Sequence, residues 1–217
     1  MLKIYGGDLS SPSNKVKFVA NALGLDFEFH PVKIREGENR KEWFLKLSPA
    51  GKIPAIDDGG FTLFESGAIC QYLCRKHGSD LYPQNIKECA LIDQWADFST
   101  IHVGAAMSRV LYNRVFAPII KVAVDENSLK DGLNFLGKFL PVVDAQLGKS
   151  EFLALDHLTL ADITLLAVLD PAEVAGVDLR PYTHITKWQE TLKGAEFYQK
   201  THKEYGGPLK VMTAEKK

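Results

Sequence analysis

The sequence predicts a small α/β domain followed by an all-α domain, on three observations. Up to about His77, short β-like runs alternate with helical segments, whereas from about Lys87 to Tyr205 the apolar spacing is helical. Between the two stretches lies KHGSDLYPQN, a polar connection containing Gly and Pro. Within the first stretch the apolar runs IPAI and FTLF are joined by DDGG, and Asp-Gly or Gly-Gly tolerates the positive φ that a tight hairpin requires. The expected boundaries are residues 1–77 for the first domain, 78–86 for a linker and 87–217 for the helical domain.

Taken in order, LKIY reads as the first strand, and a helix follows from about Pro12 to Leu23. Pro12 suits its first turn, where a missing N–H costs nothing. FEFHPVKI reads as the next strand, RKEWFLKLS as helical, IPAI and FTLF as a hairpin, and Glu65 to His77 as a closing helix. The order is βαβ, α, ββ, α. In the second half the best marked helix start is LTLADI, with Thr159 as N-cap, Asp162 in the capping-box position, and Leu158 and Ile163 at the staple positions. Asp162 therefore reads as a structural carboxylate. The final MTAEKK reads as a frayed tail.

Composition narrows the function. The chain is 46% hydrophobic and 24% charged with a formal net charge of -1, and Lys and Arg are interleaved with Asp and Glu. No basic stripe offers itself to a nucleic-acid backbone or an anionic membrane, so neither is expected as partner. LADITLLAVL, the most apolar helical run, is too short to span a bilayer and carries Asp162. With strand-like sequence directly after Met1, the chain reads as cytoplasmic. Cys70, Cys74 and Cys89 lack CxxC spacing, and the six histidines lack HxxxH or HExxH pairing, which argues against a disulfide framework and a metal site.

Four landmarks then stand in one order: the serine-bearing turn GGDLSSPSNKV (Gly6 to Val16), LSPAGKIPAI, FESGAI and LTLAD. On these the chain resembles the cytosolic glutathione transferase family over nearly its whole length. The resemblance implies a thioredoxin-like N-terminal domain, an all-helical C-terminal domain, a homodimer, glutathione as co-substrate without a metal, and a small hydrophobic electrophile as second substrate.

The residues themselves show why such types are useful. Pro54 stands at the start of an apolar strand, where a proline sits at an edge or bend. In the family this proline is cis and leaves the backbone of Ile53 to pair with an extended peptide ligand. Glu65 and Ser66 open a helix and offer a carboxylate site. Lys52, with Arg40 on the preceding helix, offers cations for a second carboxylate. The resemblance assigns Ser66 to the γ-glutamyl carboxylate of glutathione, Glu65 to its ammonium, and the Lys52 and Arg40 region to the glycyl end. Asn39 stands where related classes carry a histidine in that glycyl region, and Ser48-Pro49 replaces the family's frequent Asn-Pro. By the same resemblance Asp97, in IDQWADF, occupies the place of an interface acid in pi-like relatives and is expected to approach the ammonium in the partner's site. Taken singly, Ser66 reads equally as an N-cap, Glu65 as a first-turn acid, Lys52 as a solvated charge and Asp97 as an exposed helical acid.

Serine-type members place the catalytic hydroxyl six residues before the apolar residue that begins the buried face of the first helix. Counting back from Val16 gives Ser10, which matches both theta-like and phi-like patterns. Ser11 and Ser13 then read as cap and first-turn surface residues, the alternative being that Ser10 is itself only the cap. Zeta-type isomerases carry cysteine where Pro12 stands, and the omega and beta types need a thiol that this loop lacks, which disfavours isomerase and glutaredoxin-like chemistry. LSPAGKIPAI is also similar to nu-type members, so glutathione-dependent disulfide reduction stays open. A rival of another class is a non-catalytic ligand-binding or regulatory protein on the same fold. The second substrate is expected between the first turn and the long helix after Lys87, where Ile101, His102, Met107, Ser108 and Leu111 are candidates, most of them equally readable as core.

Overall fold

The computed structural model describes residues 1–201 of the 217. The expected tail MTAEKK and the end of the expected helical region, 202–205, lie outside those residues. The described chain forms two compact units, Met1–Gln84 joined by a segment from Ala195 onward, and Asn85–Gly194.

The first unit holds β1 (Leu2–Gly6), α1 (Ser11–Ala22), β2 (Phe27–Pro31), 3-10 turns at Ile34–Glu36 and Glu38–Arg40, α2 (Glu42–Leu45), β3 (Ala55–Asp58), β4 (Phe61–Phe64) and α3 (Ser66–Lys76). Its sheet runs β2-β1-β3-β4, with β1 parallel to β2 and antiparallel to β3, and β3 antiparallel to β4. The DDGG hairpin forms: Gly59 and Gly60 have φ of 63° and 98°, and Asp57 Oδ1 accepts the Gly60 N–H at 2.7 Å. Strand alternation sends Ile4 and Ile56, paired across the ladder, to one face, where both are fully buried; α1 and α3 pack on this sheet and on each other. On the other face Val32, Phe44 and Ala55 form a smaller cluster with Tyr5, Leu47 and Ile53.

One helical expectation contracts. RKEWFLKLS yields only the four-residue α2, and Arg40 lies in a preceding 3-10 turn rather than on that helix. Pro49 biases Ser48 away from helical backbone, and the chain turns at once through Gly51.

The second unit begins with α4 (Ile86–Asp97) and continues through a π-helical segment (Phe98–Gly104), α5 (Ala105–Leu111), a second π-helical segment (Tyr112–Phe116) and α6 (Ala117–Ile119). After it come α7 (Glu126–Leu147), α8 (Leu160–Leu169) and α9 (Thr183–Gly194). α8 is the core helix, buried at every position but Val168, and it starts at the expected Thr159–Asp162 capping box. The short α10 (Glu196–Gln199) belongs with the first unit although it falls in the stretch read as the helical domain. Its Phe197 and Tyr198 rings lie 6.1 and 5.3 Å from the Phe18 ring, and Asn21 Nδ2 donates to the Phe197 carbonyl at 3.3 Å.

Candidate active site

Antiparallel pairing brings three separate segments to one end of the sheet. Tyr5 faces Ala55, and Ala55 faces Phe64. The turn after β1, the Ile53-Pro54 bond before β3 and the Glu65-Ser66 step after β4 therefore leave the sheet side by side. Most of the expected site residues lie on these segments.

Ser10 is the N-cap of α1, with φ -99° and ψ 109°, and its Oγ accepts the Ser13 N–H at 3.3 Å. This corrects the expectation that Ser11 is the cap. Ser13 is corrected too, since it is fully buried rather than a surface residue, and its Oγ accepts the Gly7 N–H at 3.3 Å. A Cβ on Gly6 would come within 2.7 Å of that oxygen, so only glycine lets the strand end pass so close to the helix. A hydroxyl carries one donor and two acceptor positions. With the Ser13 N–H taken up by an acceptor position, the Ser10 proton stays available to an incoming group.

The turn is clamped by residues that the sequence reading passed over. Asn14, fully buried, donates from Nδ2 to the Asp8 carbonyl at 3.0 Å. Lys17, 5% exposed, pairs with Asp8 Oδ1 at 3.1 Å and sits 4.4 Å from the Phe29 ring centroid. Ser13, Asn14 and Lys17 share a helical stripe (i, i+1, i+4). No local signal marks them, because α1 carries polar residues along most of its length and Ser13 through Ala20 are all buried.

The Ile53-Pro54 bond is cis. Among the described residues the Ile53 N–H and C=O have no backbone hydrogen-bond partner. Its side chain lies beside the serine turn, 3.1 Å from where a Cβ on Gly7 would stand. The loop before it is closed by Asn39, whose Nδ2 donates to the Gly51 carbonyl at 2.8 Å, and by the fully buried Ser48, whose Oγ accepts the Lys52 N–H at 3.3 Å. Lys52 and Arg40 are exposed and form no ion pair among the described residues.

Glu65, not Ser66, is the N-cap of α3, and it makes no side-chain capping bond. Its backbone has φ 69° and ψ 110°, a left-sided conformation that a residue with a Cβ adopts at a cost of about 1–3 kcal/mol. The first backbone bond of α3 runs from Ile69 N to Glu65 O at 2.9 Å. The N–H groups of Ser66, Gly67 and Ala68 are therefore left without a backbone acceptor among the described residues, at the positive end of an 11-residue helix.

In the second unit Asp97 is exposed at the last position of α4. Of the residues weighed for the second substrate, Met107 is 2% exposed and belongs to the core, while Ile101, His102 and Ser108 are exposed and Leu111 is half-buried. The His102 ring lies between those of Phe98 and Phe139, at 5.2 and 5.0 Å. Cys70 and Cys74 are buried, and burial pushes the Cys70 thiol up to about 11, which leaves it unreactive at neutral pH. Among the described residues no helix is long and apolar enough to cross a membrane.

A thioredoxin-like unit with a hydroxyl at the first helix start, followed by a helical unit built on a buried capped helix, makes a two-domain architecture. Known proteins give that architecture a family. The profile of the Glutathione S-transferase N-terminal domain matches residues 4–81, and that of the C-terminal domain matches residues 102–196. Glutathione S-transferase 1 of Zea mays is 31% identical over 203 residues, covering 92% of this chain and 94% of its own. The crystal structure of glutathione transferase F7 from Populus trichocarpa superposes with a TM-score of 0.86 at 29% identity, over 93% of this chain and 97% of its own. Glutathione S-transferase I from maize in complex with the atrazine glutathione conjugate superposes with a TM-score of 0.85 at 30% identity, over 92% and 95%. The chain belongs to the glutathione S-transferase family of enzymes.

Proposed function

We propose that the chain conjugates glutathione to hydrophobic electrophiles, with the Ser10 hydroxyl donating a hydrogen bond to the glutathione sulfur and so favouring its thiolate. The observation that carries this reading is the geometry of Ser10, whose oxygen is engaged as an acceptor from Ser13 N at 3.3 Å while its proton is left for donation. The maize relative that holds a glutathione conjugate supports formation of a carbon–sulfur bond, in preference to peroxide or disulfide reduction. In this reading the α3 N-terminus with Ser66 receives the γ-glutamyl carboxylate and Glu65 the ammonium. The Ile53 backbone pairs with the cysteinyl residue, and Lys52 and Arg40 meet the glycyl carboxylate, with Asn39 holding their loop. Asp97 reaches the ammonium of glutathione held by a second copy. A homodimeric, cytoplasmic enzyme without a metal is part of the same proposal.

The energetics are adequate without a basic residue. A thiol of pKa about 8.5 is roughly 3% ionised at pH 7, and lowering it by about two units makes roughly three-quarters ionised, which requires about 2.7 kcal/mol. A hydrogen bond to a charged group supplies about 1.5–3 kcal/mol, and a helix N-terminus adds about 0.3–1 kcal/mol. The released proton goes to solvent, and with a halo-aromatic electrophile the carbon–sulfur bond forms as the carbon–halogen bond breaks and halide leaves. A less basic thiolate is a weaker nucleophile, and a Brønsted slope of about 0.4–0.5 returns roughly six- to tenfold of the roughly 25-fold ionisation gain. Most of the rate enhancement therefore comes from holding the sulfur against the electrophile.

The test is the thiolate absorbance of bound glutathione as a function of pH, followed by turnover with activated halo-aromatic substrates. Ser10→Ala is expected to raise the bound thiol's pKa by more than about one unit and slow conjugation at neutral pH, with recovery at alkaline pH. Because Ser10 also caps α1, the alanine variant loses about 1 kcal/mol of stability, whereas Ser10→Gly loses only a few tenths and gives the same thiol shift. An unchanged titration in both variants, with Ser11→Ala or Ser13→Ala abolishing it, moves the chemistry to another hydroxyl.

A further inference from the structure

We infer that Asp8 and Lys17 are positioning residues for the thiolate chemistry: their ion pair holds the serine turn so that the Ser10 hydroxyl meets the glutathione sulfur. The inference rests on the role proposed above for Ser10 and names the two residues through which that role is set.

The Ser10 N–H donates to the Gly7 carbonyl at 3.1 Å, which closes a β-turn with Asp8 and Leu9 as its central residues and Ser10 as its exit. Two bonds hold this turn from the first turn of α1: Ser13 Oγ accepts the Gly7 N–H at 3.3 Å, and Asn14 Nδ2 donates to the Asp8 carbonyl at 3.0 Å. Lys17 reaches Asp8 Oδ1 at 3.1 Å from one turn further along the helix. Its ammonium also lies 4.4 Å from the centroid of the Phe29 ring, and Phe29 pairs with Ile4 between β2 and β1. The ion pair thus ties the turn to the body of α1 and to the second strand, beyond the helix start itself.

Stability does not account for a lysine at this place. The Lys17 side chain is 7% exposed and that of Asp8 32%. Taking an ammonium out of water is costly, and a methionine of similar length would fill the space against Phe29 without that cost. What the ion pair supplies is direction, since a charge-assisted bond fixes where the Asp8 side chain stands and with it the turn that ends at Ser10. Direction matters here because a hydrogen bond weakens steeply out of line, and an error of about 0.5 Å is enough to loosen a site of this kind.

A through-space effect of charge has a different signature. If the Lys17 ammonium favoured the thiolate directly, removing the Asp8 carboxylate would leave that cation unscreened and lower the thiol's pKa. If the pair acts by holding Ser10, removing either partner raises it.

The experiment is the pH titration of the thiolate absorbance of bound glutathione in the full chain, with urea unfolding of each variant alongside. Lys17→Met and Asp8→Ala are each expected to raise the bound thiol's pKa by about half a unit. The double variant is expected to shift it no further than either single one, and Lys17→Met added to Ser10→Gly is expected to leave it where Ser10→Gly alone puts it. Asp8→Ala strips a buried ammonium of its counter-charge, whereas Lys17→Met leaves a carboxylate that can turn to water, so Lys17→Met in both backgrounds carries the test if Asp8→Ala fails to fold. An unmoved titration in Lys17→Met beside a raised one in Ser10→Gly overturns the inference and leaves the Ser10 reading standing, even if the unfolding curve moves. An unmoved titration in Ser10→Gly overturns both. A lowered pKa in Asp8→Ala, or a full further shift when Lys17→Met is added to Ser10→Gly, assigns the effect to charge and overturns the positioning role.

Discussion

Asp162→Ala removes the acceptor on which the interior of the second unit converges. Its carboxylate accepts from Leu153 N at 2.8 Å, Thr159 N at 3.0 Å, Thr159 Oγ1 at 2.9 Å and Trp188 Nε1 at 3.2 Å, and the residue is fully buried. Alanine leaves four donors without an acceptor, in a place water does not reach. At about 1–3 kcal/mol for each unsatisfied buried donor the plain sum is about 4–12 kcal/mol. Neighbouring losses are not additive, and the variant is spared the cost of burying a charge, so the expected loss is about 3–5 kcal/mol. Against a typical total of about 5–15 kcal/mol, that threatens the folded state of the unit. Asp162→Asn keeps one oxygen for Leu153 and Trp188 but turns an NH2 toward the Thr159 donors, and is expected to lose about half as much. The assay is urea unfolding followed by tryptophan fluorescence. The pH dependence has a definite sign. Burial, the largest influence, raises the Asp162 carboxyl above its ordinary 3.8 against the pull of its donors. A group raised in the folded state contributes fully below its unfolded pKa and loses that contribution as pH rises through the folded value. The wild-type margin over Asp162→Asn therefore narrows from acid toward neutral pH. A loss under about 1 kcal/mol for Asp162→Ala refutes the reasoning, because four unpaired buried donors cannot cost so little.

Three other perturbations probe the glutathione unit. Glu65→Gly removes the side chain from a backbone at φ 69°; it is expected to leave stability unchanged or raise it by up to about 2 kcal/mol, since relieved strain exceeds the added unfolded-chain entropy. Glutathione affinity, measured by calorimetry, is expected to fall in that variant, and a less stable protein contradicts the strain argument. Asn39→Ala breaks the 2.8 Å bond to the Gly51 carbonyl and is expected to weaken glutathione several-fold while leaving γ-glutamylcysteine, which lacks the glycyl end, unaffected; equal losses for both ligands place Asn39 elsewhere in the site. Asp58, whose carboxyl is held below 3.8 first by the Lys76 hydrogen bond and then by Tyr72, contributes stability above its unfolded pKa that is lost as pH falls through the folded one. Asp58→Asn is accordingly expected to flatten the acid limb of the unfolding curve, and an unaltered limb removes this pair from the account.

Much of the molecule was legible in the residues because its signals are local. The DDGG hairpin needs only two consecutive residues that accept positive φ, and the Thr159–Asp162 box only the N–H groups of one helical turn, so both formed as read. The βαβ, α, ββ, α order follows from apolar periods within each segment. What the tertiary structure alone decided concerns partners distant along the chain, or a choice among equivalent neighbours. Three serines crowd one turn, and only the folded turn shows that Ser13 is buried against Gly6 while the Ser10 oxygen accepts the Ser13 N–H as the cap. Nothing in the residues around Asn39 shows that its amide is tied to the Gly51 carbonyl, 12 residues on. The return of α10 to the first unit depends on Asn21 meeting Phe197 across 176 residues, a closure that no period encodes. Local propensity and capping energies act within a few residues of sequence, whereas burial and long-range hydrogen bonding are settled by which surfaces the folded chain brings together.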